Sequence, residues 1–371
     1  METRAAVLEE TAAPLAFRTL RLDEPRPGEV AVRIAATGVC ASDAHTISGR
    51  IPSPLPAVLG HEGAGVVTAV GAGVGHVEVG DHVALCWLPS CGRCRYCQAG
   101  RPVLCTASAP ALLAGTLLDG TVRMHDGERD VHHYSFLSTF SENTVVPAAS
   151  AIKIPATIPF PVAALVGCGV LTGYGAVVNR ARVAPGDVVL VYGAGGVGLS
   201  AIMAARLSGA DEIVVVEPHP DKRAGAVLFG ATRVLAPEDD VVAEVRGLNG
   251  GADVTIDAVG KEGLLEQAFD ATAPGGSVVC VGVPAATAYA SVPAARFVRE
   301  EKYLTGSLYG SSRPAQDIPK LLNQFGTGKL PIDELISKTY RFDEINTAFA
   351  DLATGASRRG VVLVDAELAG R

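Results

Sequence analysis

The chain has 371 residues, which at roughly 150 residues per domain is enough for two domains with separate cores and excludes a small stapled scaffold. Hydrophobic residues make up 48% and charged residues 19%, the balance of a globular, slightly charge-poor chain rather than a disordered one. The net charge of -8 removes the broad basic surface that nucleic-acid binding requires. No stretch offers the roughly 18 uninterrupted apolar residues of a membrane span. The least polar segment, Phe160 to Val178, is broken by Pro161 and by glycines. The chain opens on Glu2 and Arg4 with only a short apolar run, unlike a secretory signal, so a soluble cytoplasmic protein is expected.

Along the chain, the first part reads as short strands separated by Gly and Pro. EVAVRIAATG, GAGVVTAVG, GDHVALCW and SENTVVP all carry the alternation of half-buried strands. Cysteines punctuate this region. Of the eight, at 40, 86, 91, 94, 97, 105, 168 and 280, four fall within fifteen residues. Such clustering in a large chain without a secretory signal points to metal rather than disulfides. In CGRCRYC the two-residue gaps let successive thiolates turn back onto one ion, and Cys105 follows to complete four. Cys91, Cys94, Cys97 and Cys105 would fill a tetrahedron and leave no open position, so this zinc is expected to be structural.

Cys40 in GVCASDAH, His61 in GHEGAG and Cys168 in VGCGVLTGYG form a second candidate set. Two cysteines and a histidine leave a fourth position for water or substrate, the arrangement of a catalytic zinc. Spacing alone leaves alternatives open: Cys168 also reads as a buried small hydrophobe, and His61 as a hydrogen-bonded turn histidine. Cys86 and Cys280 stand in apolar strand-like runs and read as core residues.

At Pro185 the texture changes. DVVLVYGAGGVGLSAIMAARLSGADEIVVVEPHPDKR gives an apolar run, a glycine turn, a helical pattern and a second apolar run ending on an acidic residue. A helix from Lys222 to Phe229, ATRVLA extended, DVVAEVRGL helical, and ADVTIDAVG and GSVVCVGV extended continue the alternation, which predicts a doubly wound parallel sheet. The turn is Gly193, Ala194, Gly195, Gly196, Val197, Gly198. It follows a strand, opens a helix and precedes Glu217 by 19 residues from Gly198, the context of a dinucleotide fingerprint. Glu217 would accept the adenosine ribose hydroxyls and repel a 2′-phosphate, favouring NAD, with Lys222 as a second ribose contact. After Tyr303, Ile318, Leu321, Leu322 and Phe325 mark one helical face, and Ile345, Ala348, Phe349 and Leu352 another, with Asp343 as its cap. VVLV closes as a strand, and the first domain is expected to be completed by the C-terminus.

The four-thiolate loop, the Cys/His/Cys set and the dinucleotide pattern occur in this order among GVCASDAH, GHEGAGVV, CGRCRYC, GTLLDGT, HHYSFLSTFSENTVV, VGCGVLTGYGAVVN, YGAGGVGLS and ASRRGVVLV. Over nearly its whole length the chain therefore resembles the zinc-dependent alcohol dehydrogenases of the medium-chain dehydrogenase/reductase family. The resemblance implies an α/β protein: a discontinuous, mostly-β GroES-like catalytic domain, residues 1–169 and 309–371, and a Rossmann cofactor domain with a doubly wound parallel sheet, residues 170–308. It implies two zinc ions per chain, with Cys40, His61 and Cys168 on the catalytic one. Glu62 matches an acidic residue that approaches the metal, and Asp43 the carboxylate that orients the histidine ligand. Ser42 matches the hydroxyl that takes the substrate proton and His45 the residue that passes it towards solvent. Hydride then moves between the alcohol and NAD, and reversal reduces an aldehyde or ketone.

The resemblance also implies cofactor contacts from Val283 and Arg359, and a substrate pocket lined by Trp87 and Tyr134 that favours slim primary alcohols, including benzylic and allylic ones. Ala41 stands where many relatives carry a basic residue against the pyrophosphate, so one phosphate contact is missing. The glutathione-dependent formaldehyde branch uses carboxylates and an arginine where this chain reads RIPSPLP and TASAPA, which disfavours that substrate. The remaining alternatives are a nicotinoprotein that holds NAD permanently, a biosynthetic carbonyl or iminium reductase, and a non-catalytic binding protein. A homodimer or homotetramer is expected, because the apolar run YLTGSLYG would otherwise leave an adhesive sheet edge.

Overall fold

Strand runs rich in Val, Ala and Ile fold into two β layers in the first part of the chain. In the computed structural model, which describes residues 1–285, 287–355 and 358–370, the chain divides into two units, Met1–Cys168 with Arg313–Arg371, and Gly169–Ser312. Ala356 and Ser357, which open the ASRRGVVLV motif, lie outside the described residues.

In the first unit, Glu2–Leu8, Ala16–Leu22, Met124–Asp126, Arg129–His133 and Ala57–Val58 close a small barrel. Beside it runs a seven-stranded sheet. Its central strand, Glu29–Val39, pairs antiparallel with Gly63–Val70, with Asn143–Pro147 and with the C-terminal strand Arg359–Leu363. The C-terminus thus completes a sheet begun more than three hundred residues earlier, which makes this unit discontinuous. Val30, Val32, Ile34, Val67, Val83 and Leu85 form one core of the sheet. A second core joins the barrel strands to Phe136, Phe140, Tyr340 and Phe342.

Between these layers lies a buried polar knot. Arg123, whose side chain is fully buried, donates from Nε to Glu29 at 2.9 Å, from Nη2 to Asp119 at 2.7 Å, and from Nη1 to the Val122 carbonyl at 2.8 Å. These charge-assisted bonds tie the loop before Met124–Asp126 to the head of the central strand.

The second unit is an all-parallel six-stranded sheet. Counted in chain order within this unit, Val188–Tyr192, Glu212–Val216, Arg233–Leu235, Ala252–Asp257, Thr272–Cys280 and Tyr303–Gly306 lie in the order 3-2-1-4-5-6. Right-handed crossovers through helices produce this doubly wound order and leave a crevice where the order reverses, beside Val188–Tyr192. Tyr303–Gly306 forms an edge of the sheet, with Tyr303 exposed.

Three expectations need correction. The apolar segment expected to be broken by Pro161 and its glycines is one helical run, Phe160–Ala181, long and apolar enough by length and composition to cross a membrane. It is a core helix, with 72% of its apolar window buried. Pro161 sits in the first turn, where a missing N–H costs nothing. The glycines persist because other backbone presses on them: a side chain at Gly167 would overlap the Leu85 carbonyl, and one at Gly173 the Val197 carbonyl. Asp343 does not cap the last long helix, Ile345–Thr354. A 3-10 turn precedes that helix, the Glu344 carboxylate accepts the Arg341 N–H at 2.8 Å, and Asp343 pairs with the Arg341 guanidinium. Cys280, at the C-terminal end of its strand, is half-buried, whereas Cys86 is a core residue.

Removing Arg123 would leave the buried Glu29 carboxylate without its charge partner, whereas the half-exposed Asp119 keeps Arg26. Arg123→Met is expected to cost about 3–5 kcal/mol of stability, read as a lower urea midpoint at unchanged slope.

Candidate active site and metal centres

Cys40 lies at the junction where the central strand Glu29–Val39 gives way to the short helix Ala41–Ile47. His61 and Glu62 immediately precede the strand Gly63–Val70, and Cys168 sits in a π-helical turn, Val166–Val170, within the long core helix. Such a turn re-aims a side chain from a helix and is frequent at functional sites. The candidate ligand atoms of Cys40, His61, Glu62 and Cys168 all lie within 4.8 Å of one another.

The buried Asp43 orders this cluster. Its Oδ1 accepts the Gly60 N–H at 3.1 Å and faces His61 Nδ1 at 3.1 Å. With Nδ1 donating, the lone pair of His61 is on Nε2, which is buried without a hydrogen-bond partner among the described residues. An orphaned imidazole nitrogen beside two thiols fits a zinc ion held by three protein ligands. The Cys40 thiol is held well below its ordinary pKa, chiefly by the hydrogen bond with Cys168 and, against burial, by His61 and Arg359. Thiolate character is what a metal ligand needs.

Glu62 is buried, and burial pushes its carboxyl up to about 7 even though it is ion-paired with Arg359. Arg359, which the resemblance places against a cofactor phosphate, is buried and ion-paired with Glu62 on the strand Arg359–Leu363, which leaves further guanidinium donors for an anion. Gly38 makes room for the pair, since a side chain there would overlap the Glu62 carboxylate. In the sequence, the only mark of Gly38 is its place in GVC, two residues before a candidate ligand.

Ser42 and His45 both lie on the helix Ala41–Ile47. Ser42 Oγ is 3.8 Å from Cys40 Sγ. Arg50 approaches His45 Nε2 at 3.5 Å, and burial together with Arg50 lowers the His45 pKa. The Tyr134 ring meets His61 edge-on, with centroids 5.7 Å apart, and its hydroxyl lies 3.0 Å from Thr46 Oγ1. In the sequence Thr46 is unmarked, because a threonine within a short helix carries no motif. Trp87 packs half-buried against the core of the seven-stranded sheet.

The second cluster is closed. The Sγ atoms of Cys91, Cys94, Cys97 and Cys105 lie within 4.8 Å of one another. Backbone N–H groups point at sulfur, from Cys91 to Cys105 at 3.3 Å and from Cys94 to Cys91 at 3.4 Å. Backbone donors of this kind, first that of Cys97, pull the Cys94 thiol down to about 5. Four thiols with N–H···S bonds and no further ligand fit a structural zinc.

In the second unit, Gly193 has φ +90°, and Gly195 precedes the helix Gly196–Ser208. A side chain at Gly198 would overlap the Gly193 carbonyl, whereas one at Gly195 would meet nothing within 4 Å. The last glycine is therefore needed for packing, while Gly195 leaves an open cradle at a helix N-terminus. That arrangement fits a pyrophosphate approached by backbone N–H groups, including those of Gly196 and Val197. Glu217 ends the strand Glu212–Val216, and its two oxygens accept the N–H groups of Ala194 at 2.9 Å and His219 at 3.0 Å. Lys222 lies on the helix Pro220–Phe229, and Val283 is exposed in the loop after Thr272–Cys280.

Residues 26–156 match the alcohol dehydrogenase GroES-like domain, and residues 196–326 the zinc-binding dehydrogenase family. The putative alcohol dehydrogenase D of Mycobacterium tuberculosis is 39% identical over 98% of this chain and 100% of its own length. The NDMA-dependent alcohol dehydrogenase of Amycolatopsis methanolica is 38% identical over 99% of this chain and 100% of its own. The crystal structure of benzyl alcohol dehydrogenase from Acinetobacter calcoaceticus superposes with a TM-score of 0.94 at 32% identity, covering 98% of this chain and 99% of that one. With two metal-ligand clusters and a dinucleotide fold, the chain belongs to the medium-chain dehydrogenase/reductase family of zinc- and NAD(H)-binding alcohol dehydrogenases, enzymes that transfer hydride to or from an alcohol or carbonyl group.

Proposed function

We propose that the chain is an NAD-linked dehydrogenase of primary alcohols, benzylic and allylic ones among them, and of the matching aldehydes. The observation that carries this reading is the orphaned Nε2 of His61 beside Cys40 and Cys168, with Ser42 on the helix that Cys40 begins. Cys40, His61 and Cys168 would hold the catalytic zinc, and the four-cysteine lobe the structural one. When bound, zinc supplies Lewis-acid polarisation of the substrate oxygen, and NAD accepts the hydride. Ser42 takes the substrate proton and His45 passes it to solvent. Glu217 and Lys222 hold the adenosine ribose, and the carboxylate of Glu217 disfavours a 2′-phosphate. Trp87 narrows the pocket against secondary alcohols; the similarity to a benzyl alcohol dehydrogenase supports the benzylic part of the substrate range.

A panel of primary and secondary alcohols, followed as NADH absorbance, tests this directly. Primary alcohols are expected to have the higher kcat/KM, and Trp87→Ala to narrow the difference. His61→Ala should abolish turnover while the lobe metal stays, and Cys94→Ala should lower Tm with loss of one zinc. Absence of alcohol-dependent NADH formation in a protein carrying both zincs would sink the assignment.

The likeness to the NDMA-dependent enzyme favours a second reading, in which NAD stays bound and electrons leave to another acceptor. Nicotinamide absorbance that survives exhaustive dialysis, with no response to added NAD, would select it.

The two glycines separate cofactor binding from folding. Gly195→Ala is expected to weaken NAD binding at least about tenfold with Tm unchanged, because its side chain would stand in the cradle. Gly198→Ala is expected to lower Tm, because its side chain would meet backbone.

His45 must be neutral to accept a proton. Burial and Arg50 both lower its pKa, so the acidic limb of kcat should lie below the ordinary histidine value of about 6.5. Arg50→Ala removes one of these two causes and should move the limb to higher pH, measured as the kcat–pH profile.

A further inference from the structure

The helix that carries Ser42 and His45 is poorly secured by its own sequence. Ala41–Ile47 is seven residues long, and Cys40 at its N-cap makes no side-chain capping bond. Helices this short are marginal without tertiary anchors. Thr46, on its last turn, is buried beside a cavity of about 250 Å³ that Thr11, Gly49, Ile51 and Leu55 also line. The Asp43 carboxylate, bonded to Gly60 and His61, tethers one side of the helix. At its far end the Ile47 carbonyl accepts the Ala12 N–H at 2.7 Å, and the Ile47 side chain packs on the barrel core.

A further anchor lies on the line of the helix that carries Ser42. Ser42 and Thr46 are one turn apart, so they stack along the same line of the helix. Thr46 Oγ1 is 3.1 Å from the Ser42 carbonyl and 3.0 Å from the Tyr134 hydroxyl, which is itself 3.4 Å from that carbonyl. With Thr46 donating to Tyr134 and Tyr134 donating to the Ser42 carbonyl, each hydroxyl proton is used once.

Tyr134 is itself held firmly. Ser135, Phe136 and Ser138 adopt φ of +51°, +63° and +51°, a left-handed run that costs non-glycine residues energy and persists only where the surroundings enforce it. Here they do. Phe136 and Leu137 are buried in the two cores of this unit, and Ser138 Oγ accepts the Tyr134 N–H at 3.2 Å. The Thr139 and Phe140 N–H groups donate to the carbonyls of Gly60 and Leu59, each at 3.0 Å. The segment that presents Tyr134 is thus fastened to the backbone just before His61.

We propose that Tyr134 is a positioning residue for proton transfer: its hydroxyl, joined to Thr46 and the Ser42 carbonyl, fixes the rotation of the helix Ala41–Ile47 and with it the stations of Ser42 and His45. The proposal rests on the relay reading of those two residues and gives the Tyr134 hydroxyl a task separate from that of a pocket wall.

The test uses the zinc-loaded enzyme with NAD and compares Tyr134→Phe, Thr46→Val, Thr46→Ser and their double mutant Tyr134→Phe/Thr46→Val, with Ser42→Ala as reference. Tyr134→Phe is expected to lower kcat about tenfold for a slim and a bulky primary alcohol alike, with KM changed by less than about twofold and zinc content unchanged. Amide hydrogen exchange over residues 41–48 should rise in the same variant. Thr46→Val should reproduce both effects, the double mutant should be no worse than either single, and Thr46→Ser should recover most of the kcat lost in Thr46→Val. A change confined to KM, differing between slim and bulky alcohols, would make Tyr134 a pocket wall and overturn the proposal. So would unchanged exchange over 41–48. If Ser42→Ala lowers kcat and Tyr134→Phe does not, the positioning role alone fails; if Ser42→Ala leaves kcat unchanged, the relay reading fails with it.

Discussion

The hydrogen bond between Asp43 and His61 Nδ1 is the contact on which the catalytic unit depends. It fixes which imidazole nitrogen carries the proton and turns the other, Nε2, toward Cys40 and Cys168. Because the same carboxylate oxygen also accepts the Gly60 N–H, one buried side chain couples the helix Ala41–Ile47 to the strand entry that bears His61. The candidate metal cluster and the helix that bears Ser42 and His45 therefore share one support. A buried carboxylate is costly, and here both of its bonds fall on Oδ1, the oxygen that organises the site, while Oδ2 has no hydrogen-bond partner among the described residues.

A second buried charge pair stands behind the cluster. Glu62 and Arg359 come from opposite ends of the chain, and the pairing of Arg359–Leu363 with Glu29–Val39 brings them together. In a low-dielectric setting each charge is tolerable only in the presence of the other. The overlap that any side chain at Gly38 would make with Glu62 shows how closely the pair is packed. An arginine on the last strand is thereby joined to the carboxylate next to His61, beside the candidate metal cluster.

The cofactor unit separates its tasks in a comparable way. Within one glycine turn, Gly198 permits the helix to approach the strand and Gly195 leaves the cradle open. Glu217 is tied to that turn through the Ala194 N–H, so the carboxylate that would read the ribose is held by the loop that would hold the phosphates. Recognition of the two halves of a dinucleotide is thereby coupled through backbone, with little dependence on side-chain rotamers.

Local patterns determined much of this. The doubly wound sheet was legible because apolar runs, a glycine turn and helical periodicity alternate within short windows. The four-cysteine lobe was legible because its ligands lie within fifteen residues and chain geometry alone lets them converge. Cys40, His61 and Cys168 span more than a hundred residues, so composition and spacing left them open and the family resemblance joined them. Other features were decided only by the tertiary structure. The pairing of Arg359 with Glu62, the need for a glycine at 38, the half-burial of Cys280 and the triangle of Ser42, Thr46 and Tyr134 all join residues far apart in the chain or depend on which face a side chain takes. Hydrogen bonds and close packing act over a few ångströms in space, and a sequence orders residues only along the chain. Where the fold brings distant segments together, it alone sets the partner of each buried charge and hydroxyl.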